Sequence, residues 1–337
     1  MENTHFLPPH YRPKLDLYHT QLAIKQAKDD FEDELAALLH LSRVSAPLFV
    51  DKATGLNDDL NGVERPVEFD IKEQPGIAVQ VVQSLAKWKR YALGRYGYPV
   101  GQGLYTDMNA IRRDEITDNF HSIYVDQWDW EKVIRREDRN PEFLKDTVRS
   151  IHRALYNTLQ KLRASFPEIE VELPEEVAFI DTTELEARYP DLSPAAREEA
   201  FVREHGAAFF LGIGWPLKSG LPHDGRAPDY DDWSMNGDLL FWHEPLGMAL
   251  EISSMGIRVD ENSLAAQLKI AGCEARAELP FHKMLLNGEL PLTIGGGIGQ
   301  SRLCMLLLGK VHIGEVQASL WDEETRRVCA EKGVILL

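Results

Sequence analysis

The feature that most constrains this chain is the order of its strand and helix patterns. Strand-like runs at 207–213, 237–243 and 248–253 follow one another without a helix after each, and long helical patterns flank them. Parallel sheets need a crossover helix between successive strands, so this order argues for an α+β fold with a mostly antiparallel sheet flanked by helices. Residues 17–41 carry Ile24, Phe31, Leu35, Leu38 and Leu39 on one side of a helix. The spacing predicts a second long helix over 141–166, capped by Asn140, opened by Pro141 and lined by Val148, Ile151, Leu155, Leu159 and Leu162. A third opens at Ser193-Pro194 and stops at Gly206. Ala46-Pro47-Leu48-Phe49-Val50 reads as an edge strand or a strand start. Residues 67–71 and 78–83 alternate as strands around a turn at Gln74-Pro75-Gly76, and 121–130 reads as another strand. No repeat or linker interrupts the 337 residues, so a single domain over 1–337 is expected.

Several residues sit badly with purely structural roles. Ser84 is placed to cap a helix from Leu85 to about Tyr96, whose apolar side carries Leu85, Trp88, Ala92 and Tyr96. Lys89 falls in the middle of that side, while Lys87 and Arg90 point away. Such a lysine either reaches past the core to solvent or binds an anion in a pocket. On the strand at 121–130, Gln127 and Asp129 share a face with Ile123 and Val125, opposite Tyr124, Trp128 and Trp130. They are either paired within the core or form the floor of a polar site. Glu251 alternates with Leu250 and Ile252. It is either solvent-facing or, with Asp238 on a neighbouring strand, an oxygen ligand for Mg²⁺.

The loop Arg226-Ala-Pro-Asp229-Tyr-Asp231-Asp232-Trp233 is a solvated turn or a substrate loop. Asn57-Asp58-Asp59-Leu60-Asn61-Gly62 taken alone is a plain turn. The strongest local signal is Ile294-Gly-Gly-Gly-Ile-Gly-Gln-Ser-Arg302, read as a glycine-rich turn into an apolar helix at 301–308. Arg302 in that first turn is disfavoured by the helix dipole and so calls for a partner, such as an aromatic base under its guanidinium.

Lys+Arg number 37 and Asp+Glu 54, a formal net charge of −17. This disfavours gripping a nucleic-acid backbone or an anionic membrane. No apolar stretch is long enough to span a bilayer. Cys273, Cys304 and Cys329 suit unpaired thiols in a cytoplasmic protein. The P-loop, GxGxxG, HExxH and GxSxG patterns are absent.

These pieces, in this order, resemble the catalytic core of class II aminoacyl-tRNA synthetases. The glycine string is similar to the third motif of that superfamily, whose arginine stacks on adenine. Ala110-Ile-Arg112-Arg113-Asp-Glu115 is similar to the second, whose arginine holds the α-phosphate. The first helix with Leu41-Ser-Arg-Val44-Ser-Ala-Pro47-Leu48-Phe49 is similar to the first, which implies a homodimer. More narrowly, the chain resembles the ammonia-dependent asparagine synthetase family over nearly its whole length. The strings are Ser84–Arg90, Gly103–Thr106, Tyr124–Trp130, Arg226–Trp233, Glu251–Val259 and the glycine run.

The resemblance implies a ligase that joins ammonia to L-aspartate using ATP and Mg²⁺, through a β-aspartyl-adenylate, releasing AMP and pyrophosphate. It implies that Arg112, Ser122, Ser254 and Arg302 bind the nucleotide and that Asp238 and Glu251 hold Mg²⁺. Ser84, Lys89, Gln127, Asp129, Arg226, Asp231 and Ser253 are the implied aspartate contacts, and Asp58, Lys89 and Arg112 the catalytic groups, with Asp58 acting on the incoming ammonia. No cysteine precedes Cys273 to release ammonia from glutamine. The competing readings are a tRNA-related aminoacyl ligase paralogue and a non-catalytic aspartate- or adenylate-binding regulator.

Overall fold

The computed structural model describes residues 6–58, 60 and 64–337, so Asp59, Asn61 and Gly62 of the expected turn lie outside the described residues. The elements run α1 (Leu17–Leu39), β1 (Leu41–Arg43), β2 (Phe49–Asp51), β3 (Glu68–Ile71), β4 (Gln74–Val81), α2 (Ala86–Tyr96), β5 (Gly103–Ile111) and β6 (Tyr124–Val133). They continue α3 (Pro141–Ser165), β7 (Ala178–Asp181), α4 (Thr182–Arg188), α5 (Pro194–His205), β8 (Ala207–Leu211), β9 (Asp231–His243) and β10 (Met248–Arg258). The chain closes with α6 (Glu261–Ile270), α7 (Pro280–Leu286), β11 (Thr293–Gly299), α8 (Gln300–Leu307) and α9 (Glu323–Glu331).

Eight strands form one sheet in the order β1-β5-β6-β11-β10-β9-β8-β7. The six inner strands are antiparallel, and only the edge strands β1 and β7 run parallel to their neighbours. A small sheet, β2-β4-β3, lies apart from it. The expected fold class holds.

One face of the large sheet is apolar. Trp128 and Trp130 of β6, Leu239 and Phe241 of β9 and Ile298 of β11 are buried there with Phe31 and Leu35 of α1 and Leu155 and Leu159 of α3. Phe31 packs on Trp128 with ring centroids 4.9 Å apart. Helix α3 starts as its sequence predicts, since the Asn140 side chain accepts from the Phe143 amide and Pro141 takes the first turn.

Three local readings change. The turn of the small hairpin is at Lys72-Glu73, and Gln74-Pro75-Gly76 opens β4 ahead of the Val79–Val81 stretch that pairs with β2, at a strand start where a proline is tolerated. The glycine string forms β11 rather than a turn, with Gly295, Gly296 and Gly297 paired to both neighbours. On α2, Lys87 and Arg90 are as buried as Lys89, while Tyr96 is exposed. That helix is enclosed on more than one side, so its periodicity could not separate inward from outward cations.

Candidate active site

The other face of the sheet is the floor of a cleft of about 500 Å³. Residues directly opposite in an antiparallel ladder share a face. The register therefore puts Gln127, Asp129 and Glu131 of β6 on one side with Gly299, Gly297 and Gly295 of β11. Ser254 of β10 lies opposite Gly297 and Asp238. The glycines let neighbouring side chains lie flat across β11. A Cβ on Gly297 would meet the Gln127 Oε1 at 2.5 Å and the Asp129 Oδ1 at 3.0 Å. A Cβ on Gly295 would meet Glu131 Oε2 at 2.6 Å and Arg258 Nη2 at 2.8 Å. The string is thus a bare strand between polar side chains.

Lys89 does not reach past the core to solvent but is buried in the lining of the cleft. Its Nζ donates to the Gly296 carbonyl at 2.8 Å and lies 3.2 Å from Asp129. Burial depresses its pKa, and Asp129 opposes that shift. Asp231 lies against Arg258, which also reaches Glu131 at 3.0 Å. Burial raises the Asp231 pKa and Arg258 restrains it. Ser84 lines the cleft beside them, its Oγ accepting from the Ala86 amide at 3.1 Å.

The loop at 226–233 is not a solvated turn, because each of its acids has its own cation. Asp229 takes Arg276 at 2.9 Å and Lys87 at 3.5 Å, Asp231 takes Arg258, and Asp232 takes Arg139 at 2.9 Å. Despite burial, His282, Lys87 and Arg276 hold Asp229 down to about 2.

At the other end, Arg112 follows β5, and its buried Nε donates to nothing among the described residues. Arg302 projects from the first turn of α8. It is held by backbone carbonyls, with Nη1 at 3.2 Å from Glu251 O and Nε at 3.4 Å from Phe120 O. The partner that the dipole argument called for is therefore present within the chain. Ser122 lines the same end, with its Oγ 2.7 Å from that of Ser319.

Arg226 bridges Asp224 at 2.8 Å and Asp238. Burial, with Glu251 and Glu198 nearby, pushes Asp238 up to about 7 even though Arg226 opposes it. No group of three His, Cys, Asp or Glu side chains among the described residues is arranged to hold a metal unaided. Asp238 and Glu251 nevertheless suit a hard cation that takes its remaining oxygens elsewhere. They stand on adjacent strands, Asp238 Oδ1 has no hydrogen-bond partner among the described residues, and the Glu251 side chain is 45% exposed.

Ser253 needs correction. A β-bulge at Ile252 shifts the alternation, so Ser253 lies opposite Leu239 and Ile298 on the apolar side and donates to the Gly297 carbonyl at 2.9 Å. Ser254 takes the cleft position. The remaining residues expected in the site, Asp58 among them, converge on this cleft or on its Arg226–Asp238 wall. Burial raises the Asp58 pKa, opposed by Lys87. Sequence reasoning missed Gln83, Glu131, Tyr230 and Arg258. The signal for Arg258 was a charge at the end of the apolar run Met255-Gly-Ile257, and for Glu131 its place on the same strand face as Gln127 and Asp129.

The bare-stranded antiparallel sheet and its helices have the fold of the class II aminoacyl-tRNA synthetases. Asparaginyl-tRNA synthetase of Pyrococcus horikoshii, complexed with asparaginyl-adenylate, superposes with a TM-score of 0.63 at 16% identity, over 94% of this chain and 75% of that one. The Entamoeba histolytica enzyme in its asparaginyl-adenylate complex gives 0.63 at 14% identity, and this chain spans 66% of its length. Residues 18–333 match the aspartate-ammonia ligase family. An aspartate–ammonia ligase of Clostridium perfringens is 62% identical over 98% of this chain and 99% of its own. That of Lactobacillus johnsonii is 59% identical over 99% and 100%. The chain belongs to the aspartate–ammonia ligase family.

Proposed function

We propose that this cleft joins ammonia to the β-carboxylate of L-aspartate, using ATP and giving L-asparagine, AMP and pyrophosphate. The observation that carries the reading is one cleft with two ends. The unspent Nε of Arg112 and the cleft-lining Arg302 mark a phosphate and base end, and Lys89, Asp129, Gln127 and Asp231 mark a zwitterion end.

A carboxylate is a poor electrophile. Attack of its oxygen on the α-phosphorus forms a β-aspartyl-adenylate as the bond to pyrophosphate breaks. Arg112 stabilises the charge on the α-phosphate, and Arg302 stacks on the base, with Ser122 and Ser254 beside the nucleotide. Lys89 and Arg226 hold the carboxylates of aspartate, Asp129 and Asp231 its ammonium, and Gln127 and Ser84 its remaining polar edge. Asp58 takes a proton from the incoming ammonium. The ammonia lone pair then attacks the acyl carbon, the C–O bond to phosphate breaks, AMP leaves with that electron pair, and the nitrogen gives up its surplus proton to solvent to leave the amide. Asp238 and Glu251 are the residues that would hold Mg²⁺, which supplies charge neutralisation at the phosphates.

The whole chain acts as one catalytic domain, a reading supported by α1 and α8 sharing the core under one sheet. The free thiols support a cytoplasmic setting, and the charge of −17 supports a reaction without nucleic acid. A homodimer is supported by half-exposed Leu48 and Phe49 in the segment that resembles the first motif.

The test mixes the chain with ATP, Mg²⁺, aspartate and ammonium and measures asparagine, AMP and pyrophosphate together. Equal yields of the three are expected. Asparagine with ADP removes the adenylate route, and no asparagine from folded protein removes the ligase.

A further inference from the structure

We infer that Gln83 is the second ligand of a seat for the ammonium ion, shared with Asp58 in a corner of the cleft. The inference rests on the ligase reading and adds a residue and a bound species to it.

The seat is built by Asn57. Its side-chain Oδ1 accepts from two backbone amides at once, Asp58 N at 3.0 Å and Gln83 N at 2.8 Å. Its Nδ2 donates to Gln80 Oε1 at 3.1 Å and to the Val81 carbonyl at 3.2 Å. One buried amide thus clamps the loop carrying Asp58 to the segment that links β4 to α2. Gln83 adds a second clamp, since its Nε2 donates to the Asp58 carbonyl at 2.9 Å.

That bond also settles which way the Gln83 amide points, because its nitrogen is committed and its oxygen is the free atom. Gln83 is fully buried, lines the cleft, and its Oε1 has no hydrogen-bond partner among the described residues. Asp58 is also buried in the cleft wall. Its Oδ1 accepts from the Leu60 amide at 3.1 Å, the Tyr230 hydroxyl lies within hydrogen-bonding reach of the carboxylate, and Oδ2 completes no hydrogen bond of ordinary geometry among the described residues. The Asp58 carboxylate thus has the Tyr230 hydroxyl within reach, whereas the buried Gln83 Oε1 meets no donor among the described residues, which is costly unless one arrives.

The chemistry of that donor follows from the surroundings. The ligand must donate to both oxygens and must be small. Lys87, the cation behind Asp58, is engaged by Asp229, so one further positive charge at Asp58 is tolerated. Tyr230 lies close on the remaining side. Ammonium has four N–H donors, no acceptor and a single charge, whereas water brings two donors and no charge. Bound there, ammonium sits against the carboxylate that removes its proton.

Two measurements test the seat. Crystals of the full chain soaked with thallous ion, an anomalous scatterer of ammonium's charge and similar size, should show a peak between Asp58 Oδ2 and Gln83 Oε1. The peak should vanish in Asp58→Asn. In kinetics, Gln83→Leu should raise the KM for ammonium about tenfold while the KM for aspartate in ATP–pyrophosphate exchange moves less than about twofold. Gln83→Glu, which keeps an acceptor, should recover most of the ammonium KM. An active wild type with no thallium peak, or an ammonium KM in Gln83→Leu within about twofold of wild type, overturns the seat. A thallium peak in a chain that makes no asparagine overturns the ligase reading and leaves the seat standing.

Discussion

At the scale of single residues, the site depends on what is missing from β11 as much as on what its neighbours carry. Gly297 has no side chain because Gln127 and Asp129 occupy the space above it. Gly297→Ala should therefore displace both without opening a cavity. The expected result is an aspartate KM raised about tenfold, equivalent to ~1.4 kcal/mol, with overpacking costing ~1–3 kcal/mol in stability. A KM within about twofold of wild type, measured beside a melting curve, would mean that neither side chain reads the substrate. Arg112→Ala tests the other end. Loss of a group aimed at developing charge typically costs about 10²–10³ in rate. The variant should fold and lose aspartate-dependent pyrophosphate exchange by that order, and near-normal exchange would remove Arg112 from the adenylation step.

The same scale shows what was legible in the sequence. Lys89, Gln127 and Asp129 were visible because each broke an apolar periodicity. Gln83 was not, since a buried glutamine between strand and helix breaks no pattern, and its importance lies in bonds to Asn57 and Asp58. The loop acids Asp229 and Asp232 were visible as charge but not as buried charge, because Arg276 and Arg139 come from distant elements.

At the scale of elements, one inserted residue decides which serine faces the ligand. Strict alternation from Glu251 places Ser253 in the cleft, and the bulge at Ile252 replaces it with Ser254. A bulge leaves no compositional mark, so the sequence pattern alone could not place it. The two serines should then separate in function. Ser253→Ala loses a buried hydrogen bond to Gly297 and should lower stability by ~1 kcal/mol, with little change in either KM. Ser254→Ala should raise the KM for ATP with a smaller change in stability. The reverse assignment of the two effects, from paired melting curves and initial rates, would show that the alternation is unbroken in solution. The helices fared better than the strands, because α3 and α5 carry their caps in sequence at Asn140 and Ser193. β9 begins at Asp231, six residues before its apolar pattern, because polar side chains facing the cleft disguise the strand.

At the scale of the whole molecule, burial fixes a pH limit and exposure marks a face for the proposed partner. His243 is buried, and loss of solvent depresses its pKa to about 4. Between pH ~6.5 and ~4 the unfolded chain binds this proton and the folded chain does not, so stability is full above that window and falls as pH drops through it. At ~1.4 kcal/mol per unit the group accounts for about 3 kcal/mol across the window. His243→Gln should flatten that part of the stability–pH curve, read by denaturant unfolding at a series of pH values; an unchanged slope would assign acid lability to other groups.

The small sheet offers the face for the proposed homodimer. Phe49 of β2 and Phe69 of β3 meet edge to face at 5.1 Å across β4, and both remain more than a third exposed beside Leu48. A standard stable interface buries about 1,600 Å² around such an apolar centre. A second copy of this chain, seated on this face, is the partner that the proposed homodimer requires. Each chain carries a net charge of −17, so self-association must overcome repulsion that salt screens. The dimer should therefore tighten as salt rises, opposite to a contact held by ion pairs. Light scattering should give twice the chain mass of 38.3 kDa for wild type, and the single mass for a Leu48→Glu, Phe49→Glu variant. A wild-type mass of 38.3 kDa at micromolar concentration and physiological salt would remove the homodimer. A dimer that survives the double substitution would move its interface to another face.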